Sequence, residues 1–109
     1  MRLEHYPLEK LKKEILEIIG RYADLATHRV FFFGSRVEGT SDERSDIDIG
    51  IEGPAPLSQE TYMRITDAIK NIATLYKIDV VDFKNVEDDF RAVALRHTEP
   101  ILSGAQKSL

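Results

Sequence analysis

Between positions 46 and 51 the chain reads Asp-Ile-Asp-Ile-Gly-Ile, and this strict alternation constrains the fold more than any other feature. Two is the side-chain period of a β-strand, so Asp46, Asp48 and Gly50 share one face while Ile47, Ile49 and Ile51 share the other. The three isoleucines demand a core to cover them. The two aspartates repel one another, and a sheet gains nothing by setting like charges side by side. The segment therefore reads as a strand with a packing face and a face that carries chemistry.

The elements around it follow from periodicity and punctuation. Pro7 suits a first helical position, and Leu8, Leu11, Ile15, Ile18, Tyr22 and Leu25 recur at spacings of three and four, predicting an amphipathic helix to about Ala26. Val30 to Phe33 is a short apolar run closed by Gly34, a buried strand. Ser35 to Ser45 reads as a short helix or turn followed by a loop. Pro54 and Pro56 break the chain, after which Ser58 can cap a helix with Tyr62, Ile65, Ile69, Ile72, Ala73 and Tyr76 on one stripe. Ile78 to Phe83 is a third strand. Asn85 can cap a last helix carrying Phe90, Val93, Ala94 and His97 on one face, with Pro100 as its end and Ser103 to Leu109 as a loose tail. The order is helix, strand, short helix, strand, helix, strand, helix: an α/β domain in two or three layers around a small sheet. The short link between the first two strands makes them antiparallel neighbours, so the small sheet, flanked by helices, is mixed.

With 109 residues the chain has room for one domain, expected over residues 1–102, with 103–109 as a flexible tail. It has no cysteine, which removes disulfides, thiolate zinc sites and cysteine nucleophiles. No leader or membrane-spanning run is apparent, and the cytoplasm is the expected compartment. A formal net charge of −4, with the basic residues scattered, argues against long nucleic acid as a direct ligand. A nucleotide carried by metal ions remains compatible with that charge, because the metals bring the positive charge.

The chemistry is concentrated in Gly34-Ser35, ten residues, then Asp46-Ile47-Asp48. A glycine at a strand end allows a tight turn and a close backbone approach to a ligand. The serine after it opens a short helix whose N–H groups attract phosphate oxygens. Paired carboxylates on a strand suit a hard divalent cation such as Mg2+ or Mn2+. Two such ions about 4 Å apart can stabilise both the entering and the leaving oxygen of a displacement at phosphorus. That arrangement needs a third carboxylate from a neighbouring strand. Asp79 and Asp82 are both available, and being three apart they point to opposite faces, so alternation does not choose between them. A random chain of this length carries Gly-Ser-x10-Asp-x-Asp about once in a thousand.

Gly34-Ser35-x10-Asp46-x-Asp48, followed by Ile78-Asp79-Val80-Val81-Asp82, resembles the nucleotidyltransferase fold of the polymerase-beta superfamily. Within it, the chain looks most like the minimal nucleotidyltransferases, the antitoxin halves of HEPN/MNT toxin–antitoxin pairs, and the likeness runs from the first helix to the last predicted strand. The resemblance implies ATP as substrate, two Mg2+ ions, and transfer of AMP to a tyrosine of a HEPN-domain toxin. It implies Gly34, Ser35, Arg36 and Ser45 as nucleotide contacts and Asp46 and Asp48 as ligands of both metals. It selects Asp79 as the third metal ligand and as orienter, or base, for the acceptor hydroxyl. One departure stands out: relatives usually carry a basic residue three positions after the motif serine, and this chain has Glu38 there. Arg36 and Arg44 are the cations available to replace it.

Other features take ordinary readings. Asp82 is a solvated or hydrogen-bonded strand residue, not a fourth ligand, and Phe31 to Phe33 are core. His5, His28 and His97 lack paired metal-ligand spacing, and His97 on the last helix's stripe reads as partly buried. Arg91 and His97 superficially fit the Arg-x4-6-His pattern of HEPN nucleases, but the all-helical setting is missing. Two alternative functions compete with AMP transfer to a protein: a non-catalytic antitoxin that neutralises by occlusion, favoured by Glu38, and a small-molecule nucleotidyltransferase, for which the enclosing helices are missing.

Overall fold

A computed structural model describes residues 1–39 and 45–102. In chain order the elements are α1 (Leu8–Tyr22), β1 (Arg29–Phe33), α2 (Ser35–Glu38), β2 (Ile47–Glu52), α3 (Gln59–Lys70), β3 (Ile78–Asp82), α4 (Asp88–Ala94) and β4 (Glu99–Leu102). The strands form one sheet in the order β3-β2-β1-β4. β1 is antiparallel to β2 and to β4, whereas β2 and β3 run parallel, so the sheet is mixed as the short link requires.

The alternation of β2 becomes two cores. Ile47, Ile49 and Ile51 are fully buried with Val30, Phe32, Ile78 and Val80 on one face of the sheet, under Leu11, Ile15 and Ile19 of α1 and Ile65 and Ile69 of α3. Burying each such side chain is worth about 1.5–3 kcal/mol, so this face carries most of the stability. On the other face Phe31, Phe33 and Phe83 pack edge to face, with Phe83 4.9 and 5.0 Å from the other two rings, beneath Ala94 and Leu95 at the end of α4. Gly50 makes that packing possible: a Cβ there would lie 2.4 Å from the Phe31 ring and 2.7 Å from Phe83. The layers are thus α1 with α3, the sheet, and α4.

Boundaries moved where side chains compete for the backbone. α1 stops at Tyr22, four residues before the predicted end, because Ala23 is extended and Asp24 accepts the Ala26 N–H in a local turn. Leu25 still packs against the core from that turn. Ser58 caps α3 as expected, accepting the Thr61 N–H at 3.1 Å, but the helix ends at Lys70 with Asn71 as its cap. Ile72 and Tyr76 reach the core from the following loop, and Ala73 is exposed. α4 begins after Glu87, not Asn85, whose N–H instead closes a turn onto the Asp82 carbonyl. His97 lies beyond α4 and is exposed, contrary to the partly buried reading.

The largest correction is β4. Pro100 does not end a helix; it sits inside a strand, opposite Phe31. Proline is tolerated because β4 is an edge strand with a register shift beside it, between Val30 and Phe31. Residues 103–109, expected as a tail, and 40–44, within the expected loop, lie outside the described residues.

Candidate active site

The site forms where the C-terminal end of β1 meets the N-terminal ends of β2 and β3. Phe33 is the register partner of Asp48, and Asp48 is the register partner of Asp79. Strand neighbours lie about 4.8 Å apart, so the two carboxylates share one small patch of sheet. Asp46, two residues before Asp48, lies on the same face one step toward the strand start. The register puts Asp79 and Asp82 on opposite faces of the sheet. Asp79 is on the face of Val81 and Phe83, with Asp48. Asp82 is buried on the other face, where its carboxylate accepts the N–H groups of Leu57 at 2.8 Å and Lys84 at 3.0 Å. It is the hydrogen-bonded strand residue expected.

Electrostatics mark the same spot. Burial pushes the Asp48 carboxyl above the usual carboxylate range, and the charges of Asp79 and then Asp46 push it further. Tyr62 of α3 is raised too, by burial first and then by Asp79 and Asp82, while its hydroxyl donates to the Val80 carbonyl at 2.5 Å. Among the described residues no three Asp, Glu, His or Cys side chains are gathered as a ready-made cation cage. Asp46 is turned toward Lys77, 3.9 Å away, and Asp48 lies against Gly34. The donor set of Asp46, Asp48 and Asp79, all hard oxygens, fits Mg2+ or Mn2+.

Gly34 is required twice over. Its φ is 85°, a region that disfavours residues with a Cβ, and a Cβ there would stand 2.3 Å from Asp48 Oδ2. This close approach brings Ser35, the first residue of α2, alongside the carboxylates. The Gly34 carbonyl accepts the N–H groups of Val37 and Glu38, both at 3.1 Å, and closes the short helix.

Arg36 is placed differently from a solvent-facing phosphate contact. It is 8% exposed, its Nε donates to the Ser45 carbonyl at 2.8 Å, and its guanidinium stacks 4.8 Å over the Tyr76 ring. The Tyr76 hydroxyl in turn accepts the N–H groups of Glu4 and His5, at 3.1 and 3.0 Å. Ser45 immediately precedes Asp46, so this stack ties the N-terminal segment to the start of the carboxylate strand. Sequence reasoning missed it, since Tyr76 was assigned to a helical stripe and no local pattern links residues 4, 36, 45 and 76. Lys77 was missed as well, although it stands two residues before Asp79 and so shares its face. Glu38 is exposed on α2, and Arg44 lies outside the described residues.

Comparison with known proteins agrees with this geometry. The family model described as Polymerase beta, Nucleotidyltransferase matches residues 13–107. The "Probable protein adenylyltransferase MntA" of Haemophilus influenzae is 27% identical over 82 residues, which are 75% of this chain and 71% of that protein. A chain of a toxin–antitoxin complex crystallised with AMP-PNP superposes with a TM-score of 0.70 at 18% identity, over 88% of this chain and 76% of that one. A chain from the complex of tri-AMPylated Shewanella oneidensis HEPN toxin with MNT antitoxin gives a TM-score of 0.67 at 14% identity, covering 93% and 77%. These two likenesses concern the fold. The family match spans the Gly34-Ser35 turn and all three carboxylates of the site, and the chain belongs to the polymerase beta nucleotidyltransferase family.

Proposed function

We propose that the protein transfers AMP from ATP to a tyrosine of a HEPN-domain toxin and is the antitoxin of that pair. The observation that carries this reading is the register of Asp48 beside Asp79, with Asp46 on the same face and Gly34-Ser35 alongside. The relative named as a protein adenylyltransferase and the likeness to chains of HEPN toxin–antitoxin complexes support the choice of acceptor.

Asp46 and Asp48 would hold two Mg2+ ions, with Mn2+ as a substitute, and Asp79 would be the third ligand. Bound there, the two cations supply the positive charge that neutralises the triphosphate and the developing charge on the entering and leaving oxygens. Gly34 lets the backbone approach the triphosphate, and the start of α2 at Ser35 offers N–H groups to its oxygens. Arg36 and Ser45 serve the nucleotide by fixing the strand start, since Arg36 Nε already holds the Ser45 carbonyl. Asp79 orients the tyrosine hydroxyl and takes its proton as the phenolic oxygen bonds to the α-phosphorus. The bond from that phosphorus to the bridging oxygen breaks, and pyrophosphate leaves.

The test is mass spectrometry of the HEPN partner after incubation with the protein, ATP and Mg2+, with Asp48→Asn in parallel. A gain of one or more AMP units that vanishes with the variant is the expected result; equal modification by both proteins overturns the assignment. Glu38 favours a second reading, an antitoxin that acts by binding alone, because it places an acid beside the triphosphate position. No mass gain from a tight complex, with Asp46, Asp48 and Asp79 variants all neutralising the toxin, selects that reading.

A further inference from the structure

Lys77 is a cation beside the carboxylate cluster. Ile47 is the register partner of Ile78, so Asp46 and Lys77 are neighbours just before the two strands begin. Lys77 shares the face of Asp79, and its Nζ stands 3.9 Å from Asp46 Oδ2. The pair is loose: its side chains are 72% and 43% exposed, and contacts of that kind hold weakly. Asp46, Asp48 and Asp79 bring three negative charges to the site. A contact this loose leaves Lys77 able to turn to another carboxylate.

The strand order says which side Lys77 then serves. Gly34 and Ser35 follow β1, Asp46 and Asp48 lie at the start of β2, and Lys77 and Asp79 lie at the start of β3. In an in-line displacement the entering and leaving oxygens lie on opposite sides of phosphorus. A triphosphate seated at Gly34-Ser35 therefore sends pyrophosphate off on the β1 side, and the acceptor arrives over β3. That side is an edge of the sheet, where β3 is the last strand. A cavity of about 160 Å³ lies at that edge, lined by Ile69, Lys70, Ile72, Lys77, Ile78 and Asp79 among others. It is large enough for one side chain; its isoleucines are buried and its two lysines exposed, so an incoming carboxylate is met by the lysines on the solvent side.

We propose that the acceptor crosses the β3 edge and that Lys77, with Lys70, recognises an acidic side chain adjacent in the acceptor segment to the hydroxyl that receives AMP. This rests on the transferase reading and names the class of acceptor the site selects: a hydroxyl flanked by Asp or Glu. Lys77 is an acceptor-binding residue here and not a triphosphate contact.

The experiment compares wild type, Lys77→Gln, Lys77→Arg and Lys70→Gln on the HEPN partner whose modified segment the mass spectrum has located. Two quantities are read: KM for the partner, and the calorimetric Kd for AMP-PNP with Mg2+. Lys77→Gln raises the partner KM about tenfold, Lys70→Gln raises it less, and Lys77→Arg restores most of the loss, with nucleotide Kd within about twofold throughout. Neutralising the acidic residues that flank the acceptor hydroxyl reproduces the loss in wild type and adds little in Lys77→Gln. A raised nucleotide Kd with an unchanged partner KM assigns Lys77 to the triphosphate and overturns the proposal. Unchanged values of both make Lys77 a solvated surface lysine and overturn it equally. Wild type that transfers no AMP removes the transferase reading itself, an outcome separate from active wild type that is indifferent to Lys77.

Discussion

Asp48 and Asp79 stand directly opposite one another in the parallel register of β2 and β3, a like-charge pair on a sheet that has no structural use for it. Half-burial and that neighbour hold the Asp48 carboxyl above its usual range. A raised carboxyl favours the fold only while it is protonated. Its contribution is complete below the unfolded carboxylate range near pH 4 and is lost as pH rises through the folded value, so at pH 7 the metal-free protein carries the strain of an ionised pair.

Asp48→Asn is therefore expected to stabilise the metal-free protein while removing its chemistry. Relief of a cross-strand like-charge contact is worth about 0.2–1 kcal/mol, which raises Tm by up to a few degrees in a domain of this size. Thermal unfolding in EDTA and in Mg2+ checks this. Wild type gains stability on adding Mg2+, whereas the variant starts higher and gains little. A variant less stable than wild type in EDTA contradicts the electrostatic account.

The Arg36 stack yields a second prediction. Tyr76→Leu removes the ring under the Arg36 guanidinium and the acceptor for two N-terminal N–H groups, costing about 1–2 kcal/mol. The looser hold on Ser45 then lowers AMP transfer severalfold. Tyr76→Phe keeps the ring and loses only the hydroxyl, so transfer stays within about twofold while amide exchange at Glu4 and His5 speeds up. Equal activity losses in both variants break the link drawn here between the stack and Asp46.

How much of this was legible beforehand depended on whether the signal was local. The Asp46–Ile51 alternation announces its two faces because period two needs no partner, and both cores follow from it. Asp79 against Asp82 needed the β2–β3 register, which exists only between strands. β4 was hidden because Pro100 argues against a strand until the sheet order shows it at an edge. The Glu4–Tyr76–Arg36–Ser45 contacts span 72 residues in their first link and leave no trace in any short window.

Glu52 supplies a third test, at the opposite end of β2. It is 7% exposed and paired with Arg29 at 3.2 Å and with Arg91 of α4 at 2.5 Å, pinning that helix to the sheet. Breaking a fully buried pair costs about 3–5 kcal/mol, and both arginines here are nearly half exposed, so Glu52→Gln costs about 1–3 kcal/mol. Urea unfolding reads the loss. AMP transfer per folded molecule changes little, because six residues of strand put Glu52 about 20 Å from Asp46. A large loss of activity without a loss of stability contradicts a purely structural role.

The last prediction concerns Glu38, the acid three positions after the motif serine. It is exposed on α2, so its charge acts through solvent and its effect is modest. Glu38→Arg replaces repulsion of the triphosphate by attraction, a change of about 1 kcal/mol that lowers the Kd for AMP-PNP with Mg2+ about fivefold. Calorimetry at two salt concentrations separates the causes: a charge effect shrinks at high ionic strength, and a packing effect does not. AMP itself, lacking the β- and γ-phosphates, gains less. If Glu38→Arg also speeds AMP transfer at low ATP, the wild-type site is an active one with weakened triphosphate affinity. If affinity rises and transfer stays absent, the acid at position 38 is not what silences the chain, and the binding-only reading gains its strongest support.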